Sequence, residues 1–282
     1  MREIFYINLG VILVTIYVDR KYYSLAYHQV ENSRYGQCLS QHLIVCDDCN
    51  YNFIWELNYE DSGWSVRVNG NDEYKISDLS LLGVHFDNQN DEVSDCFEQA
   101  LFNDLAGYHA SLVSDCSGRV IMICGKSGTG KTSLTKAYIE QGYYYVSDDI
   151  ALIDAELKCY YFQTSFHSRV DKLNSSHKIN DEYRAFERIN SNHTKVQKLK
   201  LGCVLILNSI TEGEISIAPV DNIYKKFQLV NSCIIGFPNC DYIFALSKAM
   251  LTLPFYNITL SKNNTATNAV MKVGELLCPK SM

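Results

Sequence analysis

The chain has 282 residues, 47% of them hydrophobic, and a formal net charge of −7 from 25 basic and 32 acidic side chains. This length and apolar content are enough to bury a core in one large domain or in two domains of ordinary size. The acidic balance and the lack of any run of like charges argue against a surface for nucleic acid or anionic lipid.

The first apolar stretch, residues 4–18, has no basic leader, contains Asn8 and is too short to span a bilayer. We therefore expect one or two strands here, with no signal peptide and no membrane anchor. The eleven cysteines are odd in number and have no framework spacing. This usage favours reduced thiols and a cytoplasmic protein.

One cysteine cluster raises a metal-site hypothesis. Four potential zinc ligands fall within twelve residues, namely Cys38, His42, Cys46 and Cys49. No second C-x-x-C pair follows, and the segment is patterned as a strand in which alternate residues face opposite ways. Ordinary buried thiols are therefore the favoured interpretation.

The pattern changes near residue 105. Before it, short apolar or alternating runs such as residues 64–68 are separated by polar turns, which predicts a mainly β N-terminal domain over 1–104. After it, strands alternate with helices, which predicts an α/β domain over 105–282. Within this second domain, the polar and weakly periodic residues 163–195 are interpreted as a loop or lid.

A glycine-rich segment carries the strongest functional signal. It follows a predicted strand over 119–124, opens a predicted helix over 132–141 and fits G-x-x-x-x-G-K-[ST]. Its residues, with the serine that follows, are Gly125, Lys126, Ser127, Gly128, Thr129, Gly130, Lys131, Thr132 and Ser133.

The chemistry of such a segment is that of a phosphate-binding loop, or P-loop. Glycines allow successive N–H groups to point at phosphate oxygens, and the helix N-terminus adds partial positive charge. Lys131 would bridge the β- and γ-phosphates of ATP or another nucleoside triphosphate. Thr132 would supply a hydroxyl ligand for Mg²⁺.

The pair Asp148-Asp149 follows the next predicted strand, over 143–146. Paired acids after a strand are commonly a solvated turn. Close to a P-loop, however, a carboxylate can hold Mg²⁺ or accept a proton from an attacking hydroxyl.

Together these segments resemble the catalytic domain of HPr kinase/phosphorylase over residues 107–154. The resemblance is carried by His109, by the loop and helix start at 125–134, by Gly142-Tyr143 and by Val146-Ser147-Asp148-Asp149. It implies an α/β P-loop kinase core of the HPr kinase and phosphoenolpyruvate carboxykinase type, preceded by a mainly β domain.

The resemblance also implies roles for single residues. Lys131 and Thr132 would hold phosphates and Mg²⁺, and Asp149 would assist the metal. Asp148 would be the general base, with His109 nearby to tune its proton affinity. The family's second signature, an Arg-Gly-Leu-Gly-type stretch, has no counterpart after Asp149, which argues against phosphorolysis and against HPr as the acceptor.

The leading functional hypothesis is an ATP-dependent kinase acting on a hydroxyl, typically of Ser, of a peptide or protein recognised by the N-terminal domain. A small-molecule kinase and a non-catalytic ATP-binding regulatory or assembly protein remain as alternatives. Hexamers among HPr kinases make a homo-oligomer a further hypothesis. Three arginines of the variable segment, Arg169, Arg184 and Arg188, are either phosphate ligands or solvated loop residues, and the second interpretation is favoured.

Overall fold

A computed structural model describes most of the chain. The described residues are 1–43, 50–60, 63–70, 72–82, 97, 100–170, 175, 177–179, 182–189, 198–262 and 266–277. Five helices have both ends within them: α1 (Tyr23–Glu31), α2 (Lys131–Glu140), α3 (Ile223–Asn231), α4 (Cys240–Met250) and α5 (Ala266–Leu277).

The strands are numbered in chain order. The first twelve are β1 (Arg2–Asn8), β2 (Ile12–Asp19), β3 (Leu39–Ser40), β4 (Tyr51–Glu60), β5 (Gly63–Val68), β6 (Asp72–Ile76), β7 (Ala106–Tyr108), β8 (Ala110–Ser114), β9 (Arg119–Gly125), β10 (Tyr144–Ser147), β11 (Ala151–Ile153) and β12 (Cys159–Tyr160). The others are β13 (Phe166–Arg169), β14 (His177–Ile179), β15 (Glu182–Glu187), β16 (Lys200–Thr211), β17 (Ser216–Pro219), β18 (Ile234–Gly236) and β19 (Phe255–Ser261).

The chain divides into two compact units. The first contains residues 1–101 and 161–190, and the second contains residues 102–160 and 191–282. The chain first passes from the first unit to the second between residues 101 and 102, close to the boundary expected at residue 105. Residues 161–190 cluster with the first unit, whereas the sequence interpretation had assigned everything after 105 to one domain.

A six-stranded sheet in the order β3-β1-β2-β4-β5-β6 is the larger sheet of the first unit. One or two strands were expected over residues 4–18, and this segment lies in two, β1 and β2, which pair antiparallel. Helix α1 is an element that the mainly β interpretation missed. It buries Ala26 and Val30, one turn apart, and its Tyr27 ring packs edge-on against Phe5 of β1 at 5.4 Å between centroids.

Part of the segment interpreted as a loop or lid is a small sheet. Strands β13, β15 and β14 pair antiparallel in that order. The prediction was therefore wrong for these described residues. The reason is that β15 has the sequence EYRAFE, in which charged residues occupy half of the positions and hide the apolar alternation of a strand.

A six-stranded sheet in the order β10-β8-β9-β16-β19-β17 is the main layer of the second unit. Three of its four inner strands, β9, β16 and β19, run parallel. A four-stranded sheet, β12-β11-β7-β18, accompanies it. The chain is thus a mixed α/β protein, and within its described part none of the helices combines the length and the apolar run that crossing a bilayer requires.

Helices α2 and α5 cover the parallel strands. Their buried side chains form one apolar cluster with the strands, including Leu134 and Tyr138 of α2, Val270 of α5, Ile123 of β9 and Ile258 of β19. Strand β9 is buried from Val120 to Cys124 and ends at Gly125. The loop at 126–130 joins β9 to α2, and both of these elements are fixed by packing in the core. The loop is therefore anchored at both ends.

Candidate functional site

The glycine-rich loop joins β9 to α2. Residues 126–130 have no regular secondary structure, and the side chains of Lys126 and Ser127 are exposed. Gly130 precedes the first residue of α2 with a φ of 98°, in the left-handed region that favours glycine. The expected strand, loop and helix therefore follow one another, with bounds within one residue of those expected.

A close approach explains the first glycine of the loop. A Cβ atom on Gly125 would lie 2.6 Å from Thr129 Oγ1 and 2.8 Å from the carbonyl oxygen of Leu207 in β16. Real Cβ atoms do not come this close, so a larger residue would displace either the loop or the strand. The glycine allows the loop to turn directly against the sheet.

Several amides of the loop remain available as donors. Thr129 N donates to the carbonyl of Lys126 at 3.3 Å, which closes the turn. Among the described residues, the amides of Ser127, Gly128 and Gly130 donate to no backbone acceptor. Gly130 also brings no side-chain cap to α2. Unsatisfied N–H groups at a helix N-terminus form a binding site for an anion.

The Lys131 side chain folds back over this loop. Only 7% of the residue is exposed, and its Nζ donates to the carbonyl of Gly125 at 2.9 Å. His109 Nε2 lies 3.3 Å from the same nitrogen. An ammonium group has no acceptor, so the imidazole nitrogen accepts and the ring proton is on Nδ1. His109 is thereby placed against the loop lysine.

Asp148 is buried beside the start of α2, with 1% of its surface exposed. Ser111 Oγ, on β8, donates to one carboxylate oxygen. Thr132 Oγ1 donates to the other at 3.2 Å. Both oxygens thus accept from hydroxyls, which compensates the carboxylate for the water that it has lost. The arrangement holds the acid next to the threonine of the loop.

Asp149 has a less common backbone conformation. Its φ is 65°, in the left-handed region, where Asp is one of the few non-glycine residues found. Unusual conformations of this kind occur often at functional sites. The hypothesis that Asp149 assists a metal stays a prediction, as does the tuning of Asp148 by His109.

The donor set of this region suits the expected ligands. The loop amides and the Lys131 ammonium are suited to phosphate oxygens. The Thr132 hydroxyl and the neighbouring carboxylates are oxygen ligands of the type that Mg²⁺ prefers. No cluster of three or more His, Cys, Asp or Glu residues arranged for a metal occurs within the described ranges.

Other candidates from the sequence belong to the first unit. Arg188 pairs with Glu31 at 3.1 Å within the first unit. Arg169 and Arg184 occupy paired positions on β13 and β15 of the same unit. In the cysteine cluster, Cys38 Sγ donates to the Gln163 carbonyl at 2.7 Å. Two further members, Cys46 and Cys49, lie outside the described residues.

Ser111 is the residue of this site that the sequence interpretation missed. The signal was present, because Ser111 interrupts the apolar strand ASLVS, in which all five residues are buried. A buried hydroxyl needs a hydrogen-bond partner. The identity of that partner depends on the fold, since Ser111 and Asp148 are 37 residues apart.

Comparison with known proteins gives no family for the chain. No protein-family model matches its sequence, and no curated protein matches it. The interpretation of the site therefore depends on its geometry and on the physical chemistry of its residues.

Replacing Ser111 by Ala should destabilise the protein more than replacing the equally buried Ser114. Ser111→Ala removes one hydroxyl donor from a buried carboxylate, which costs about 1.5–3 kcal/mol. Within the described part of the chain, the Ser114 hydroxyl donates to the Asp115 carbonyl, at a turn that water reaches, and Ser114→Ala should cost about 1 kcal/mol or less. Urea denaturation followed by circular dichroism measures both. Equal losses would contradict the described role of Ser111.

Proposed function

We propose that this protein is an ATP-dependent kinase with a P-loop core of the HPr kinase-like type, which transfers the γ-phosphoryl group to a hydroxyl of a peptide or protein. The observation that carries the proposal is the hydrogen bond from Thr132 to Asp148, at 3.2 Å. It joins the hydroxyl that ends the glycine-rich motif to a buried acid. A phosphate-binding loop and a proton acceptor are the two parts that phosphoryl transfer requires together.

The triphosphate would bind over the loop. The amides around Ser127 to Gly130 would donate to phosphate oxygens, and Lys131 would exchange its bonds with the Gly125 and Lys126 carbonyls for bonds with phosphate. The contact with His109 keeps the ammonium near the loop during this exchange. Its positive charge then offsets the charge that develops on the transferring group.

Thr132 would hold Mg²⁺, which would supply positive charge to the phosphate oxygens. In this proposal Thr132 is a direct ligand and Asp149 an assisting one. Because Thr132 also donates to Asp148, the acid orients the hydroxyl so that its lone pairs remain free for a cation.

Asp148 would accept the proton of the acceptor hydroxyl. The hydroxyl oxygen forms a new bond to the γ-phosphorus, the bond from that phosphorus to the β-γ bridging oxygen breaks, and the proton passes to a carboxylate oxygen of Asp148. ADP and a phosphorylated Ser are the products. Ser111 would act as a positioning residue, because it fixes the carboxylate without touching the reactants.

The first unit offers a natural place for acceptor recognition in this proposal. A separate sheet of six strands is a large element for a small metabolite, which favours a peptide or protein as acceptor. A cytoplasmic location and a homo-oligomer belong to the same proposal.

Removing the loop lysine should abolish nucleotide binding. Lys131→Ala loses the buried cation at the phosphate site, and isothermal titration calorimetry with Mg·ATP should show at least about a 100-fold loss of affinity. Lys136→Ala is the matched control, because it removes the same charge from the same helix five residues later. Similar affinities for the two variants would contradict phosphate binding at this loop.

Replacing the proposed base should separate binding from transfer. Asp148→Asn keeps the size of the side chain but cannot take up a proton, so Mg·ATP binding should stay within a few-fold while transfer falls by about 10²-fold or more. Transfer is measured with γ-labelled ATP and candidate Ser peptides, with Asp221→Asn, an exposed position, as control. ATP binding without transfer or hydrolysis in the wild type would favour a non-catalytic nucleotide-binding protein, and transfer to small hydroxyl compounds alone would favour a metabolite kinase.

A further inference from the structure

Strands β16 and β19 extend past the start of the glycine-rich loop. The pairing of β16 with β9 ends where Leu207 lies beside Gly125, the residue that opens the loop. The pairing of β16 with β19 continues to Thr211 and Ser261. The last residues of these two parallel strands therefore project beyond the end of β9.

A β-bulge in β16 sets the direction of Ile210. Leu207 pairs with Ile258, and Asn208 is the extra residue that follows. Ile210 then pairs with Leu260, so that three steps along β16 match two steps along β19. Without the extra residue, the alternation of a strand would put Ile210 on the opposite face of the sheet from Leu260. Bulges that re-aim a side chain in this way are common next to functional sites.

The two paired side chains lie against the last residue of the loop. A Cβ atom on Gly130 would be 2.8 Å from Leu260 Cδ1 and 3.6 Å from Ile210 Cδ1. Leu260 is 6% exposed and belongs to the apolar cluster of the core, whereas Ile210 is 40% exposed. Ile210 and Leu260 thus form an apolar ledge that reaches from the core to the glycine-rich loop.

The apolar ledge and Asp148 lie on opposite sides of the loop strand. In the sheet order β10-β8-β9-β16-β19-β17, the loop follows β9. Asp148 follows β10 and accepts from Ser111 of β8, on one side of β9. The ledge belongs to β16 and β19, on the other side. With the γ-phosphate directed toward Asp148, the nucleoside end of a bound triphosphate is directed toward the ledge.

We propose that the apolar ledge binds the purine ring of the nucleoside triphosphate, with one face of the ring lying on Ile210. This inference rests on the proposed function, because the phosphates must first lie over the loop. Covering an exposed isoleucine with a flat heteroaromatic ring removes apolar surface from water. Ligand sites combine such apolar walls with a few polar groups that fix orientation. The loop amides and Lys131 are the polar part, and the ledge makes the protein select a nucleotide over inorganic triphosphate.

The ledge is tested by isothermal titration calorimetry with two ligands, Mg·ATP and inorganic triphosphate with Mg²⁺. The wild type should bind ATP at least about tenfold more tightly, because only ATP carries a ring that covers the ledge. Ile210→Ser should weaken ATP binding by about tenfold and leave triphosphate binding within about twofold. Ile210→Val keeps a branched apolar side chain and should keep the ATP affinity within a few-fold.

Ile54→Ser is the matched control for the loss of an exposed isoleucine. Ile54 is 45% exposed and also lies on a strand, β4 of the first unit. Its replacement should leave both affinities at the wild-type values. The ratio of the two wild-type affinities needs no substitution, so it tests the ledge even where a variant folds poorly.

The inference fails while phosphate binding stands in two cases. In the first, the wild type binds ATP and inorganic triphosphate equally well, so the ring makes no contribution. In the second, Ile210→Ser binds ATP as tightly as the wild type or loses both ligands to the same extent, so the ring does not lie on Ile210. A wild type that binds neither ligand refutes the proposed function and this inference together.

Discussion

The buried carboxylate of Asp148 sets the main constraint on the second unit. An acid that is 1% exposed loses almost all of its hydration, and this loss must be compensated by fixed donors. Ser111 and Thr132 supply them, from β8 and from the first turn of α2. The end of β10, the strand β8 and the loop helix are therefore linked through a single side chain.

The positive charge of Lys131 must also be compensated for its loss of water. Lys131 is also buried, and it is compensated by the loop carbonyls and by His109. Two adjacent residues thus have different partners: Lys131 is held over the glycine-rich loop, and Thr132 is held on the acid. The parallel strands β9, β16 and β19 and the helices packed on them keep these two positions in place. In the proposed reaction, the cation would meet the phosphates and the acid would meet the acceptor hydroxyl.

Local signals made the centre of the site predictable from the sequence. The apolar run before Gly125 and the glycine spacing each predict the local structure without reference to distant residues. For Asp148, the sequence predicted only that the acid lies close to the P-loop, because ligands bind at the ends of strands. It did not predict the contact with Thr132. The role of Ser111 could not be assigned, because the pairing of β8 with β10 brings it to Asp148 across a separation of 37 residues in the chain.

Mixed periodicity accounts for the elements that the sequence interpretation missed. Helix α1 has tyrosines at positions 23 and 27, which favour strands locally, and its packing on Phe5 decides the conformation. Residues 161–190 return to the first unit through pairings such as Val11 N with the Tyr161 carbonyl, which no local pattern encodes. The division of the chain is therefore a tertiary property, set by contacts between distant segments.

A crystal structure with Mg²⁺ and a non-hydrolysable ATP analogue tests the central claim most directly. The account predicts β- and γ-phosphate oxygens at about 2.7–3.2 Å from amides of the segment Ser127 to Lys131, with Mg²⁺ at about 2.1 Å from Thr132 Oγ1. It further predicts that the Asp148 carboxylate lies on the γ-phosphate side of the metal. A triphosphate bound away from the glycine-rich loop, or a metal held without Thr132, would contradict it.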